Sequence, residues 1–138
     1  MSRYVYVNGR YLHYADAHVH AEDRGFQFGD AVYEVCEVSA GNIIDETRHL
    51  QRLERSLGEL SITPPLSAGA WHRVLRETVR RNRVTNGIVY LQVSRGAGPR
   101  DFLFSGVRTP PTVVCLARPT SARAQAAAAA KGIAVITH

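Results

Sequence analysis

Glu22-Asp23-Arg24-Gly25-Phe26-Gln27-Phe28-Gly29-Asp30-Ala31-Val32-Tyr33-Glu34-Val35 is the stretch from which the fold is read. It opens with charges and glycines and runs into a β-branched, alternating segment. Gly25 and Gly29 mark places where the backbone needs positive φ or a close approach. From Val32 to Val38 the residues alternate, with Val32, Glu34, Cys36 and Val38 on one side and Tyr33, Val35 and Glu37 on the other. Period two predicts a strand. A glycine-bearing loop that feeds this strand delivers Tyr33 onto a sheet face, where a pocket can be built.

Working outward, Arg3-Tyr-Val-Tyr-Val7 alternates and meets Asn8-Gly9, a strong hairpin signal, before Arg10-Tyr11-Leu12 returns. Residues 13–21 read as edge strand or loop. After the strand at 32–38, Ala40-Gly41-Asn42 is a turn and Ile43-Ile44 a short return strand. Asp45 is placed to cap a helix with its carboxylate. Leu50, Leu53, Leu57 and Leu60 follow at helical spacing. Pro64-Pro65 ends that element. Ser67 is the expected cap of a second helix, with the apolar stripe Trp71, Val74, Leu75, Thr78 and Val79. Asn86-Gly87 stops it and starts Ile88–Ser94, apolar on both sides and therefore expected in the middle of a sheet. Residues 95–100 form a loop, Phe102–Pro111 is irregular, and Thr112–Ala117 is another strand. Ser121–Ala130 is alanine-rich, compatible with a helix or with a low-complexity linker. Gly132–Thr137 reads as a strand. This order predicts an α+β fold, an antiparallel sheet with two helices packed on one face.

Composition narrows the function classes. At 138 residues, the chain is of the size of one domain. Its net charge of +5 comes almost wholly from scattered arginines, since Lys131 is the only lysine. Without basic runs or interleaved aromatics, that charge gives no argument for nucleic-acid binding. No stretch has the length or apolarity of a membrane span or a signal core, so the expectation is cytoplasmic. Cys36 and Cys115, both in apolar strands, are expected to be buried reduced thiols. The six histidines show no metal-ligand spacing with cysteines or carboxylates.

The opening stretch resembles, almost residue for residue, the EDRG(Y/F)QFGDGVYEV signature of the D-amino-acid aminotransferases in the class IV, or fold-type IV, family of pyridoxal-phosphate enzymes. Ala31 stands where that family usually has glycine. The resemblance implies a PLP-dependent transaminase that moves an amino group from a D-amino acid such as D-alanine to 2-oxoglutarate, working as a homodimer. It also implies roles that the residues alone leave open. Arg52, in His49-Leu50-Gln51-Arg52-Leu53, reads on its own as a solvated helix arginine or an anion ligand. The segment is similar to the family's EHIDRL motif, whose arginine binds the cofactor 5′-phosphate. Tyr33, otherwise a strand aromatic packing on a helix, matches the position whose hydroxyl helps hold the substrate α-carboxylate. Arg100 ends Arg95-Gly96-Ala97-Gly98-Pro99-Arg100, which resembles the (T/S)RGxxPR motif. There the last arginine traps the substrate carboxylate in the neighbouring subunit's site. Phe102 departs from the pattern, since a histidine usually stands two residues after that arginine.

The lysine that holds the cofactor has no good candidate in this chain. Lys131 fills a position that the family gives to a surface residue, and the family's lysine lies in a later segment. The expected organisation is therefore an N-terminal α+β domain at 1–120, followed at 121–138 by an interdomain segment and the start of a truncated C-terminal domain. The 138-residue chain alone is expected to be inactive. Two other functions remain open within the family, branched-chain aminotransferase and aminodeoxychorismate lyase. From a different class, a non-catalytic binding or assembly module would use an exposed strand edge to meet its partner.

Overall fold

The computed structural model describes residues 3–103 and 109–136, with backbone alone for 122–125. Six strands form one antiparallel sheet: β1 (Tyr4–Val7), β2 (Arg10–His13), β3 (Ala31–Ser39), β4 (Asn42–Ile43), β5 (Gly87–Ser94) and β6 (Thr112–Pro119), in the order β2-β1-β6-β5-β3-β4. β5 is central, pairing with β3 from Ala31↔Ser94 to Val38↔Gly87 and with β6 from Ser94↔Thr112 to Gly87↔Pro119. The expected hairpins form, β1–β2 about Asn8-Gly9 and β3–β4 about Ala40-Gly41.

Two long helices, α2 (Glu46–Glu59) and α3 (Ala68–Arg81), cover one face. Leu53 and Leu57 of α2 and Trp71, Val74, Leu75, Thr78 and Val79 of α3 are buried against Cys36, Val38, Val89, Leu91, Val93, Cys115 and Ala117. The fold is thus the α+β architecture that the alternation and the two stripes imply. Cys36 and Cys115 are buried free thiols, and burial pushes each thiol up to about 12, which keeps them unreactive. Among the described residues, no helix is long and apolar enough to cross a membrane.

Four local readings are corrected. The glycine-bearing stretch 22–29 is not all loop but contains a short helix, α1 (Arg24–Phe28). Asp23 caps it by accepting from the Gly25 N–H at 2.9 Å, and Gly29 ends it at φ 68°, a left-handed backbone that glycine adopts without strain. Asp45 sits at the N-cap of α2 but at φ 50°, outside the extended region from which a carboxylate reaches the first free N–H groups, and it makes no cap bond. Ser67 precedes α3 with an extended backbone, yet its hydroxyl makes no cap bond either, and nothing in the structure explains why. Ser121–Ala130 resolves as α4 (Ala122–Lys131), while Gly132–Ile136 forms no strand. Ile133 and Ile136 are 88% and 90% exposed. Thr137 and His138 lie outside the described residues, as do 104–108 of the irregular segment.

α1 is locked against the end of β5. Asp23 also accepts from Ser94 Oγ at 2.9 Å, and Asp23 bridges to Ala97. A Cβ at Gly25 would lie 2.7 Å from Ser94 Cβ and 3.3 Å from Ala31 Cβ. Gly25→Ala is therefore expected to destabilise the chain by about 1–3 kcal/mol, the usual cost of overpacking. Chemical denaturation midpoints check this, and an unchanged midpoint would mean that α1 is not seated on β5.

Candidate functional site

β3 carries one charge on its core-facing side. Glu34 follows Val32 and precedes Cys36 and Val38 on the face covered by the helices, and it is 3% exposed. A buried carboxylate needs partners, and α2 provides them. Arg52 donates through Nε to Glu34 Oε1 at 2.8 Å and through Nη2 to Oε2 at 2.6 Å, a bidentate fork. His49, one helical turn earlier, places Nδ1 2.7 Å from Glu34 Oε2. Burial by itself raises the Glu34 carboxyl, but the bonds from Arg52 and then His49 outweigh it and hold the group below the ordinary carboxylate range. Arg52 is in turn raised, first by its bond to Glu34.

The location of this fork matters. β4 pairs only with Val38 and Ser39, so the first half of β3 lies at the sheet edge. Arg52 is half exposed there, and Nη1 takes no part in the bonds to Glu34 and His49. A guanidinium fixed on one edge and open on another is suited to a planar or tetrahedral anion. Tyr33 leaves the same strand on the opposite face, 66% exposed and stacked on Tyr90 with ring centres 5.8 Å apart. The two side chains thus point to different faces. Neither lines the cavity of about 270 Å³ between α2 and α3, which is walled by Leu50, Leu57, Pro64, Leu66 and Trp71.

Arg100 stands on the loop after β5, and its contacts are with aromatic rings rather than with Tyr33 or Arg52. Its guanidinium carbon is 5.5 Å from the Phe28 ring centre and 5.2 Å from that of Phe102. The loop base is tied down by Asp30. That carboxylate accepts from Arg24 Nε at 2.9 Å and from Arg95 Nε and Nη2 at 2.7 and 3.0 Å. Burial pulls Asp30 upward, but the bonds from Arg95 and Arg24 hold it low. Lys131 is exposed at the C-terminal end of α4.

Glu34 and His49 are the functional candidates that residue-by-residue reading missed. The signal for Glu34 was present, an acid in phase with Val32, Cys36 and Val38. For His49 the signal was only its spacing of three from Arg52.

Comparison with known proteins places the chain in a family. The sequence profile of amino-transferase class IV matches residues 31–137. The D-alanine aminotransferase of Listeria innocua serovar 6a is 38% identical over 112 residues, which is 76% of this chain and 39% of that protein. The structure of 4-amino-4-deoxychorismate lyase from Pseudomonas aeruginosa superposes with a TM-score of 0.68 at 30% identity, over 86% of this chain and 40% of that one. The PLP-bound form of a hypothetical aminotransferase from Mycobacterium tuberculosis gives a TM-score of 0.70 at 25% identity, over 90% and 42%. The chain spans about 40% of the length of the curated relatives it matches. With the profile covering residues 31–137, a span that holds β3 to β6, α2, α3 and Arg52, this chain belongs to the class IV aminotransferases.

Proposed function

We propose that residues 1–120 are the small α+β domain of a pyridoxal 5′-phosphate-dependent transaminase, with 121–138 leading into a second domain. The enzyme moves an amino group from a D-amino acid such as D-alanine to 2-oxoglutarate, as a cytoplasmic homodimer. The observation that carries the reading is the Glu34–Arg52 fork at an open sheet edge, with Nη1 left for an anion. Its donor set fits the cofactor's phosphate, because a guanidinium braced on one side loses little freedom when it binds a dianion on the other. When bound, the cofactor supplies the electron sink for amino transfer. Arg52 holds and orients the phosphate, and Glu34 and His49 keep Arg52 in place. Tyr33 offers one directed O–H to a substrate carboxylate without adding charge. Arg100 grips the same group, reaching it from the neighbouring subunit.

D-alanine is favoured as donor by the 38% identity to a D-alanine aminotransferase. The likeness to a 4-amino-4-deoxychorismate lyase supports a second reading. The full-length protein is expected to release pyruvate from D-alanine in the presence of 2-oxoglutarate, and to show the absorbance of a bound cofactor. No turnover of any D-amino acid would remove this reading, and pyruvate release from aminodeoxychorismate instead would establish the second. The 138-residue chain by itself is expected to be inactive in the D-alanine assay, since its one lysine, Lys131, is exposed on α4.

A further inference from the structure

Arg100 differs from the other two arginines at its end of the sheet. Arg24 and Arg95 share the carboxylate of Asp30. Arg100 has no acidic partner among the described residues, although Asp101 is its neighbour in sequence. The Asp101 side chain is turned back on the loop, where Oδ1 accepts from the Leu103 N–H at 3.1 Å, and the Asp101 carbonyl accepts from Arg24 Nη1 at 2.8 Å. What holds Arg100 is a pair of rings. Phe28 and Phe102 meet edge to face with centres 5.7 Å apart, and the guanidinium lies within 5.5 Å of both.

Ring faces attract a cation through their quadrupole and take none of its N–H groups. An arginine held by a carboxylate has spent donors and charge on it, whereas one held by two rings is oriented with both still available. Phe28 belongs to α1, which Asp23 and Asp30 fix to the sheet, and its ring also carries the Arg24 guanidinium 4.8 Å from its centre, so this ring of the pair has a firm base and is shared by two cations. Phe102 is 74% exposed and packs on Phe28 and Arg100. Its exposure is not what core packing would produce.

We infer that Phe102 is a positioning residue for Arg100: with Phe28 it forms an aromatic clamp that presents the guanidinium to a carboxylate, in place of a second hydrogen-bond donor. This rests on the reading of Arg100 as a contact for the substrate α-carboxylate. The test uses the full-length holoenzyme and three variants, with D-alanine as substrate and propionate as competitive inhibitor. Phe102→Leu keeps apolar bulk and removes the ring face. It is expected to raise both KM for D-alanine and Ki for propionate about 3- to 30-fold, the range of a cation–π contact. kcat should stay within about twofold, as for a residue that acts on binding. Phe102→Tyr restores the face and should restore both constants. Arg100→Gln should raise both by more than Phe102→Leu does. Phe102 is exposed, so loss of fold does not confuse the result. If Arg100→Gln raises KM and Phe102→Leu matches the parent, or lowers kcat alone, the clamp is overturned while the role of Arg100 stands. If Arg100→Gln leaves both constants unchanged, the carboxylate reading falls and takes the clamp with it.

Discussion

Glu34→Gln is expected to lower the stability of the chain by about 1–3 kcal/mol near neutral pH, the cost of leaving a buried polar group imperfectly paired. The amide oxygen can still accept one bond from Arg52, but its NH₂ group then faces the other N–H of the guanidinium fork, donor against donor. The pH dependence is the sharper part. Glu34 is held below its ordinary range in the folded chain, so its contribution is complete above the unfolded carboxylate pKa and is lost as pH falls through the folded one. Glutamine does not titrate. The stability gap between parent and variant should therefore close as the solution is acidified below the ordinary carboxylate range. Urea unfolding at a series of pH values reads this directly. A gap that stays constant into acid would show that the fork contributes nothing through charge. A carboxylate between sheet and helices is also a poor choice for stability alone, because an apolar residue there packs as well without desolvation. Its use is to fix Arg52.

The architecture was legible because it rests on local periodicity. Alternation at 32–38 assigned each side chain from Val32 to Val38 to its correct face, Glu34 included. The stripe Trp71, Val74, Leu75, Thr78 and Val79 is the buried face of α3 without exception. What was not legible depends on contacts distant in sequence or on single backbone angles. α1 has five residues and no periodicity to detect, and it exists because Asp23 and Gly29 close its two ends. Asp45 has the right side chain for a cap, and a left-handed φ turns it away. The run at 132–136 has strand composition, but composition supplies no edge to pair with. The departure at Phe102 was visible in the sequence as a missing donor. That its ring would hold Arg100 against Phe28 required the loop and α1 to be brought together in space.

The second large effect concerns Arg52. In the full-length protein, Arg52→Gln is expected to weaken binding of pyridoxal 5′-phosphate about 10- to 150-fold, the range of one charge-assisted contact. Binding of pyridoxal, which lacks the phosphate, should change little, because the variant removes nothing that meets the ring. Arg52→Lys should fall between. Its ammonium keeps the charge near Glu34 but cannot fork onto Oε1 and Oε2 while presenting a further N–H outward, as Nε, Nη2 and Nη1 do together. Titrations followed by the absorbance of bound cofactor separate the two ligands. Equal loss for both would mean that the variant disturbs the pocket as a whole, and no loss for the phosphate ester would place its anchor elsewhere. The expected selectivity follows from the division of labour on this guanidinium. One edge is committed to a buried acid that holds it still, and the other is left at the sheet edge for an anion that the chain itself does not contain.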